Sequence, residues 1–361
     1  MECYQLLATA VKIVSSGSVA SPRCDRVDVI HPILYYACPN RQTMRAVRFH
    51  EHGGPEVLQV DSVETPDPSH GEVVVDVEAA GVNPVDTYFR EGAYPVPHLP
   101  FIGGGDLAGV VDEVGEGVED FGVGDRVLGT GLGNGRPGTY AEAVAAPADT
   151  LAHLPEAVPV TEGAALGTVG GTAWQALVHH AGVEPAETVL VHGGAGGVGH
   201  VAVQLAETMG AHAYATASPD DADALAELGV EGTFDYARDD LESVIADTAP
   251  PDVVVDLHMD RYLQLNANVV NTGARVIGIG NDTAEGGFDN IGVTKGKEVE
   301  YQFMSLFNAG DLGAVLDGVA DLCARGEIEP VVHRTYDLDE AAEAQRAVLE
   351  DSFLGKLVLT P

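Results

Sequence analysis

The spacing of apolar positions changes along this chain, and each change marks an element. Val189-Leu190-Val191 is an apolar run of strand length that breaks at His192-Gly193-Gly194-Ala195-Gly196-Gly197-Val198-Gly199. Beyond it Val198, Val201, Ala202, Leu205 and Met209 recur on one face of a helical period, with Gly210 as a stop. The reading is strand, tight turn, helix. A second short strand, His212 to Thr216, follows, and Ser218 to Asp221 opens an Asp-rich helix. Val253-Val254-Val255-Asp256 and Arg275-Val276-Ile277-Gly278-Ile279-Gly280 repeat the continuous apolar pattern of strands buried on both faces. Strands alternating with helices over about 130 residues predict a doubly wound parallel sheet.

Upstream the pattern differs. Met44 to Phe49, Leu58 to Val63 and Val73 to Val77 read as short strands separated by Gly53-Gly54-Pro55 and Pro66-Asp67-Pro68. Asp106 to Glu113 and Asp125 to Gly129 continue the series, which predicts a compact, barrel-like β-rich domain. An Ala-rich helix from Thr161 to Leu166, then Thr172 to Leu177, leads into the glycine unit. A helix from Ala341 to Leu349 and a strand from Gly355 to Leu359 close the chain.

The glycines at 194, 196 and 199 form Gly-x-Gly-x-x-Gly between a strand and a helix, the context that a dinucleotide requires. The first permits the tight turn, the second lets backbone N–H groups approach a pyrophosphate, and the third allows close packing of helix on sheet. Gly194, Ala195, Gly196, Gly197, Val198 and Gly199 are therefore candidate cofactor contacts.

Charge narrows the partners. The chain holds 18 Lys and Arg against 56 Asp and Glu, a formal charge of −38, which repels nucleic acid and anionic membrane. The acid is spread along the sequence, and 45% hydrophobic content argues against disorder. Such a surface, with lysine only at Lys12, Lys295, Lys297 and Lys356, is similar to that of proteins from salt-loving microbes. The first 43 residues break the rule: they carry a net charge of +1 while the remainder carries −39. They hold Cys3, Cys24 and Cys38, and only Cys323 lies beyond them. Residues 5 to 20 faintly resemble a secretory leader but lack its positive start, and Lys12 interrupts the apolar run. The expectation is a non-native or disordered extension over 1–43, translation from Met44, and a reduced, cytoplasmic protein without a disulfide framework or a membrane span.

Ala80-Gly81-Val82-Asn83-Pro84-Val85-Asp86-Thr87-Tyr88-Phe89-Arg90-Glu91-Gly92-Ala93-Tyr94-Pro95 closely resembles the zinc-independent quinone oxidoreductases, the zeta-crystallin-like branch of the medium-chain dehydrogenase/reductases. Pro100 to Val111, Gly124 to Val127, Gly193 to Gly199 and Gly355 to Leu359 extend the resemblance in family order from Met44 to Pro361. It implies a GroES-like catalytic domain over 44–168 and 302–361, around an inserted Rossmann NADP-binding domain over 169–301, with the active site in the cleft between them. Zinc-dependent relatives place a cysteine at or beside Asn83, a histidine near Gly105 and four cysteines in a lobe. None of these stands here, so no catalytic or structural zinc is expected, and His50, His52, His70 and His98 read as surface histidines.

By the same resemblance Asn83, Asp86, Tyr88, Arg90 and Tyr94 line the substrate and nicotinamide cleft. Asn83 and Tyr94 can donate to an oxygen that gains charge as hydride arrives, whereas Asp86 and Arg90, four apart on a helix, also suit a structural ion pair, and Tyr88 also suits packing. Thr172 and the Gly278-Ile279-Gly280 turn match positions that hold nicotinamide and its ribose. At the end of the second strand the NAD-type acid is replaced by Thr216-Ala217-Ser218, whose hydroxyls can donate to a 2′-phosphate. Tyr236 matches a phosphate contact, with Arg238 beside it. The reading is NADPH ahead of NADH, although Asp221 falls where the family often has lysine. Leu257-His258-Met259-Asp260 departs from the usual glycine there, with His258 either a loop histidine or a proton relay.

The expected activity is hydride transfer from NADPH to a quinone or similar conjugated carbonyl, by a homodimer that binds no nucleic acid and no membrane. An enoyl or 2-alkenal reductase on the same scaffold, or a non-catalytic NADPH-binding protein, are the alternatives.

Overall fold

The structure, a computed structural model, describes residues 42–361. The expected extension lies outside the described residues except for its last two, and Thr43 already belongs to a strand. Cys3, Cys24 and Cys38 also fall outside them.

Eight strands precede residue 154: β1 (Thr43–Phe49), β2 (Leu58–Glu64), β3 (Glu72–Val82), β4 (Phe101–Ile102), β5 (Leu107–Val114), β6 (Arg126–Gly129), β7 (Ala143–Pro147) and β8 (Leu151–His153). β1 pairs antiparallel with β2 and β4. β3 is the hub of the second sheet, because its valine-rich run pairs antiparallel with both β5 and β7. It feeds helix α1 (Pro84–Glu91), whose proline stands at the first turn where a missing N–H is harmless, and which stops at Gly92 in the left-handed region, φ 84°.

The parallel sheet holds six strands: β9 (Thr188–His192), β10 (His212–Ala217), β11 (Gly232–Asp235), β12 (Val253–Asp256), β13 (Arg275–Gly278) and β14 (Glu300–Phe303). Their order, β11-β10-β9-β12-β13-β14, reverses direction at β9, the switch point where such sheets bind ligands. Val253, Val254 and Val255 are fully buried, as the continuous apolar run requires.

The chain then returns to the first unit through β15 (Val332–Asp337) and β16 (Lys356–Thr360), and β16 pairs antiparallel with β3 at Leu357 and Val82. Helix α2 (Val160–Trp174) joins the units. It is apolar nearly all round and packs on β3, on helix α3 (Gly197–Thr208) and on the helix Leu312–Ala324. Small residues make this possible: a Cβ at Gly81 would stand 2.5 Å from the Ala164 carbonyl oxygen, and one at Gly170 would stand 2.8 Å from Val319. One apolar core thus runs from Ala79 and Ala108 through Leu166 to Val189 and Val255. The expected division at 168/169 falls inside α2, and that at 301/302 falls inside β14. No helix among the described residues is long and apolar enough to cross a membrane.

Candidate active site at the junction of the two sheets

The glycine loop leaves β9 and enters α3 with its backbone tightly folded. Gly193 carries the positive φ, 80°, that turns the chain. Gly194 lies against β10, where a Cβ would stand 2.4 Å from that of Ala215. Gly199 is the closest approach: a Cβ there would stand 2.1 Å from the Gly193 carbonyl oxygen. Gly196 is open, with only that same oxygen within reach at 3.3 Å. Gly193, Ala195, Gly196, Gly197 and Val198 are partly exposed at the N-terminus of α3, so unpaired N–H groups and the helix dipole face one patch. These residues fit a dinucleotide pyrophosphate.

Under the loop sits a buried polar cluster that ends on one carboxylate, Asp256. The Gly193 amide donates to Thr216 Oγ1 at 3.1 Å, and the Gly194 amide donates to the Thr216 carbonyl at 3.0 Å. Thr216 Oγ1 meets His192 Nδ1 at 3.3 Å, and His192 Nε2 meets Asn266 Oδ1 at 2.8 Å. Asn266 donates its amide to Asp256 Oδ2 at 2.7 Å, which leaves its oxygen to accept from His192. Burial holds the His192 pKa below the usual range. The ring is then neutral with its proton on Nε2, and Nδ1 accepts from Thr216. Tyr262 stacks on this ring at 4.2 Å.

The second cluster, at the head of α1, is charged. Asn83 is 2% exposed, Asp86 4% and Lys356 3%. The Lys356 ammonium donates to the Val82 carbonyl and to Asn83 Oδ1, both at 2.6 Å. Asn83 Nδ2 in turn donates to Asp106 Oδ2 at 2.8 Å. Asp86 caps α1 by accepting the Asn83 backbone N–H at 2.8 Å, and it accepts the Tyr140 hydroxyl at 2.7 Å. The other Asp106 oxygen accepts from the Thr130 hydroxyl and from the Thr168 amide and hydroxyl. Burial pushes the Asp86 carboxyl up to about 7, against the opposing pull of the Tyr140 and Asn83 donors. Burial lowers the Lys356 ammonium, and Asp106 and Asp86 oppose that shift.

Lys356 ties the two sides together. A Cβ at Gly197, in the loop, would stand 3.0 Å from Lys356 Cδ, and the Gly355 amide donates to the Ala195 carbonyl at 2.9 Å. One lysine side chain therefore spans the distance from the nucleotide loop to Asn83. His200 braces the same seam: its Nε2 accepts the Val331 amide at 3.2 Å, its Nδ1 faces the Gly196 carbonyl at 3.1 Å, and burial pushes its pKa down to about 4.

Residues 69–156 match the alcohol dehydrogenase GroES-like domain family, and residues 228–359 match the zinc-binding dehydrogenase family. Rat quinone oxidoreductase is 34% identical over 335 residues, which cover 88% of this chain and 98% of the relative. The chain belongs to the quinone oxidoreductases of the medium-chain dehydrogenase/reductase family. The solved structure of AibC superposes with a TM-score of 0.83 at 29% identity, covering 89% of this chain and 97% of that one. Escherichia coli quinone oxidoreductase, solved with NADPH, gives 0.80 at 29% identity over 88% and 100%. The β-rich and six-stranded units are thus the GroES-like and Rossmann domains of an oxidoreductase.

The expected cleft residues of this family member take the following positions. Tyr88 and Tyr94 pack edge to face at 5.8 Å, Tyr94 is 43% exposed, and Asp282 from the loop after β13 helps to raise the Tyr88 pKa, behind burial and Tyr94. Asn83 and Asp86 lie buried at the head of the same helix, with both ends of the Asn83 amide engaged. The Asp86–Arg90 ion pair does not form: Arg90 is fully buried and turned to Gln345 Oε1, the Gly53 carbonyl and Glu91, because Asp86 points back to the helix start. Thr172 is buried in α2. Gly278 and Gly280 are close-packed positions, where a Cβ would stand 2.7 Å from Phe303 and 2.2 Å from the Leu257 carbonyl oxygen respectively. His258, in the connection after β12, packs against the glycine loop, its Nε2 3.3 Å from a Cβ placed on Gly193, with Nδ1 facing Asp282 at 3.3 Å.

Two expectations are corrected, one at the second strand and one in the glycine loop. The Thr216 hydroxyl, expected to reach a 2′-phosphate, is 1% exposed and turned inward to Gly193 and His192. Gly193, just ahead of the motif, makes the turn that was assigned to the first motif glycine. Ser218 caps the short turn that follows by accepting the Asp220 amide at 3.3 Å, and Tyr236 is 52% exposed beyond β11. The sequence reading missed the roles of Lys356, Asp106 and Tyr140. Lys356 and Asp106 stood in the recognised motifs without an assigned partner, and Tyr140 carried no local signal at all. Among the described residues no three His, Cys, Asp or Glu side chains gather to hold a metal ion.

Proposed function

We propose that this chain reduces a quinone or a similar conjugated carbonyl with hydride from NADPH, without zinc. The observation that carries this reading is the bridge by Lys356 between the Gly197 loop and Asn83, which sets the pyrophosphate patch beside the head of α1. The bound dinucleotide supplies hydride from its nicotinamide ring. The chain's residues do the rest. The loop amides and the α3 N-terminus would hold the pyrophosphate, and Gly278 and Gly280 let the β13 end pack against Phe303 and the Leu257 backbone beside it. Lys356 and Asp106 fix the Asn83 amide, and the Tyr94 hydroxyl donates toward the acceptor oxygen as its charge grows. A quinone that takes hydride also takes one proton from solvent, giving the hydroquinone and the oxidised dinucleotide.

The test is NADPH oxidation by the full-length chain with benzoquinone, a naphthoquinone and an alkenal, with and without chelator. Quinone-dependent oxidation that survives chelation is expected. Absence of quinone turnover, or preference for the alkenal, would replace the reading with the enone reductase. Tyr94→Phe is expected to lower turnover about tenfold while leaving dinucleotide affinity within twofold. Unchanged turnover removes Tyr94 from its role.

A further inference from the structure

Helix α2 does not stop at Trp174. It continues as a π-helical segment, Gln175–Ala181, until Gly182 turns the chain at φ 57°. Such wider turns recur at functional sites, and here Gln175 lines an open cavity of about 480 Å³. The cavity lies between this segment, the end of β14 and the start of the helix Leu312–Ala324. Trp174 and Phe303 line it too. The indole is fixed against that helix, where a Cβ at Gly318 would stand 2.7 Å from Trp174 Cη2, and Phe303 is 60% exposed. Neither Asn83, Tyr94 nor the 194–199 loop lines this cavity.

Gln175 is 8% exposed, yet among the described residues its side-chain amide has no hydrogen-bond partner. Polar groups beside it are occupied: His180 Nδ1 meets Gln302 Nε2 at 2.6 Å, and Asp311 accepts the Ala314 amide at 2.9 Å. A polar group withdrawn from water is normally paired, so this amide lacks a partner that the chain itself does not supply. A primary amide presents an acceptor oxygen and two donor hydrogens on one edge. The group that satisfies it is a second amide edge, a carbonyl next to an N–H, and the aromatic surface beside it suits a flat ring. The lining holds no lysine or arginine to neutralise an anion.

We propose that this cavity is a second ligand site, which takes a neutral, planar heteroaromatic lactam with its carbonyl and N–H paired to Gln175 and its ring against Trp174 and Phe303. The site goes beyond the oxidoreductase reading and does not depend on it.

Trp174 is the only tryptophan in the sequence, so the intrinsic fluorescence of the full-length chain reports on this cavity. The probes are carbostyril, a bicyclic lactam, and N-methylcarbostyril, which lacks the N–H; free tryptophan corrects for their absorption. Carbostyril is expected to quench Trp174 saturably with a dissociation constant of about 100 µM, in keeping with its size. N-methylcarbostyril should bind about tenfold more weakly. Gln175→Leu keeps the bulk and removes the amide, and it should bind both probes alike at the weaker level, with circular dichroism showing the parent's fold. The two probes on the parent decide the matter even where that variant does not fold. Saturating NADP⁺ should leave carbostyril binding unchanged. No saturable quenching, equal affinity of the parent for both probes, or displacement by NADP⁺ overturns the proposal. So does emission that shifts with protein concentration in the absence of probe, which would give the cavity to a second copy of the chain.

Discussion

Two buried polar clusters lie at the junction of the two sheets, one built mainly of neutral groups and the other around an ammonium. The one under the glycine loop, Thr216, His192 and Asn266 resting on Asp256, keeps its histidine neutral and passes a single hydrogen-bond direction along the chain. The one at the head of α1 buries an ammonium among two carboxylates, with Asn83 as the bridge between Lys356 and Asp106. The first network carries one buried carboxylate, Asp256, and serves to pin backbone, here Gly193. The second holds an ammonium with two carboxylates, so losing one member leaves the others uncompensated. The glycine loop thus rests mainly on neutral donors and acceptors, and the head of α1 on coupled charges.

The sharpest break concerns the loop itself. Gly199→Ala places a Cβ 2.1 Å from the Gly193 carbonyl, so the loop must move although alanine favours a helix. A loss of dinucleotide affinity of about a hundredfold is expected, the scale of an ångström's displacement. Gly196→Ala, which meets nothing of the protein closer than 3.3 Å, should fold as the parent does and lose binding only through the space it takes from the phosphate. Equal affinity in parent and Gly199→Ala, measured by fluorescence titration, would show that the pyrophosphate does not sit there.

Next is the charged cluster. Lys356→Met keeps the stem beside Gly197 and removes the ammonium, leaving Asp106 and Asp86 buried without their cation. Unfolding stability is expected to fall by about 3 kcal/mol, read from the denaturant midpoint at constant slope. A change under about 0.5 kcal/mol would mean that the ammonium is not part of a coupled network.

Asp86 gives the pH signature of the same cluster. Its carboxyl is raised to about 7 from an ordinary value of 3.8, so the folded state holds the proton more tightly than the unfolded chain does. That contribution is complete below the unfolded value and is lost as pH rises through about 7. Asp86→Asn mimics the protonated carboxyl and can accept the same two donors, from Asn83 and Tyr140. Relative to the parent, the variant should gain about 4 kcal/mol between pH 4 and pH 8. A stability difference flat across that range would refute the raised carboxyl.

The two clusters also differ in how far the sequence announces them. The loop was legible because its constraints are local: an apolar run, glycines at fixed offsets and a helical period all sit within about twenty residues. Even there the turn residue was misplaced by one, since Gly193 and Gly194 look alike in sequence and only φ distinguishes them. The charged cluster joins residues 273 apart, Asn83 and Lys356, and no periodicity links β3 to β16 until the sheet is closed. Its one sequence signal was the lysine of the terminal Gly355-Lys356 pair, a charge standing at the head of an apolar strand. The Asp86–Arg90 pair failed for a related reason: spacing on a helix says which side chains can meet, but the cap and Gln345 compete for them.

Thr216 is the smallest test, because it asks only which way one hydroxyl points. On β10, register pairs Thr216 with His192 of β9, and the side chain faces the histidine instead of the open end of the strand. Thr216→Val keeps the shape, strands the Gly193 amide without its acceptor and leaves His192 Nδ1 without a donor. Stability should fall by about 1 kcal/mol and both dinucleotides should weaken together by about threefold, since the change reaches them only through the loop backbone. Thr216→Ser, which restores the hydroxyl, should recover most of both losses. The informative comparison is between the cofactors. A hydroxyl that contacted the 2′-phosphate would weaken NADPH alone on conversion to valine, whereas one that holds Gly193 weakens NADH equally. A NADPH-selective loss would turn Thr216 outward again and place the 2′-phosphate directly over the end of β10.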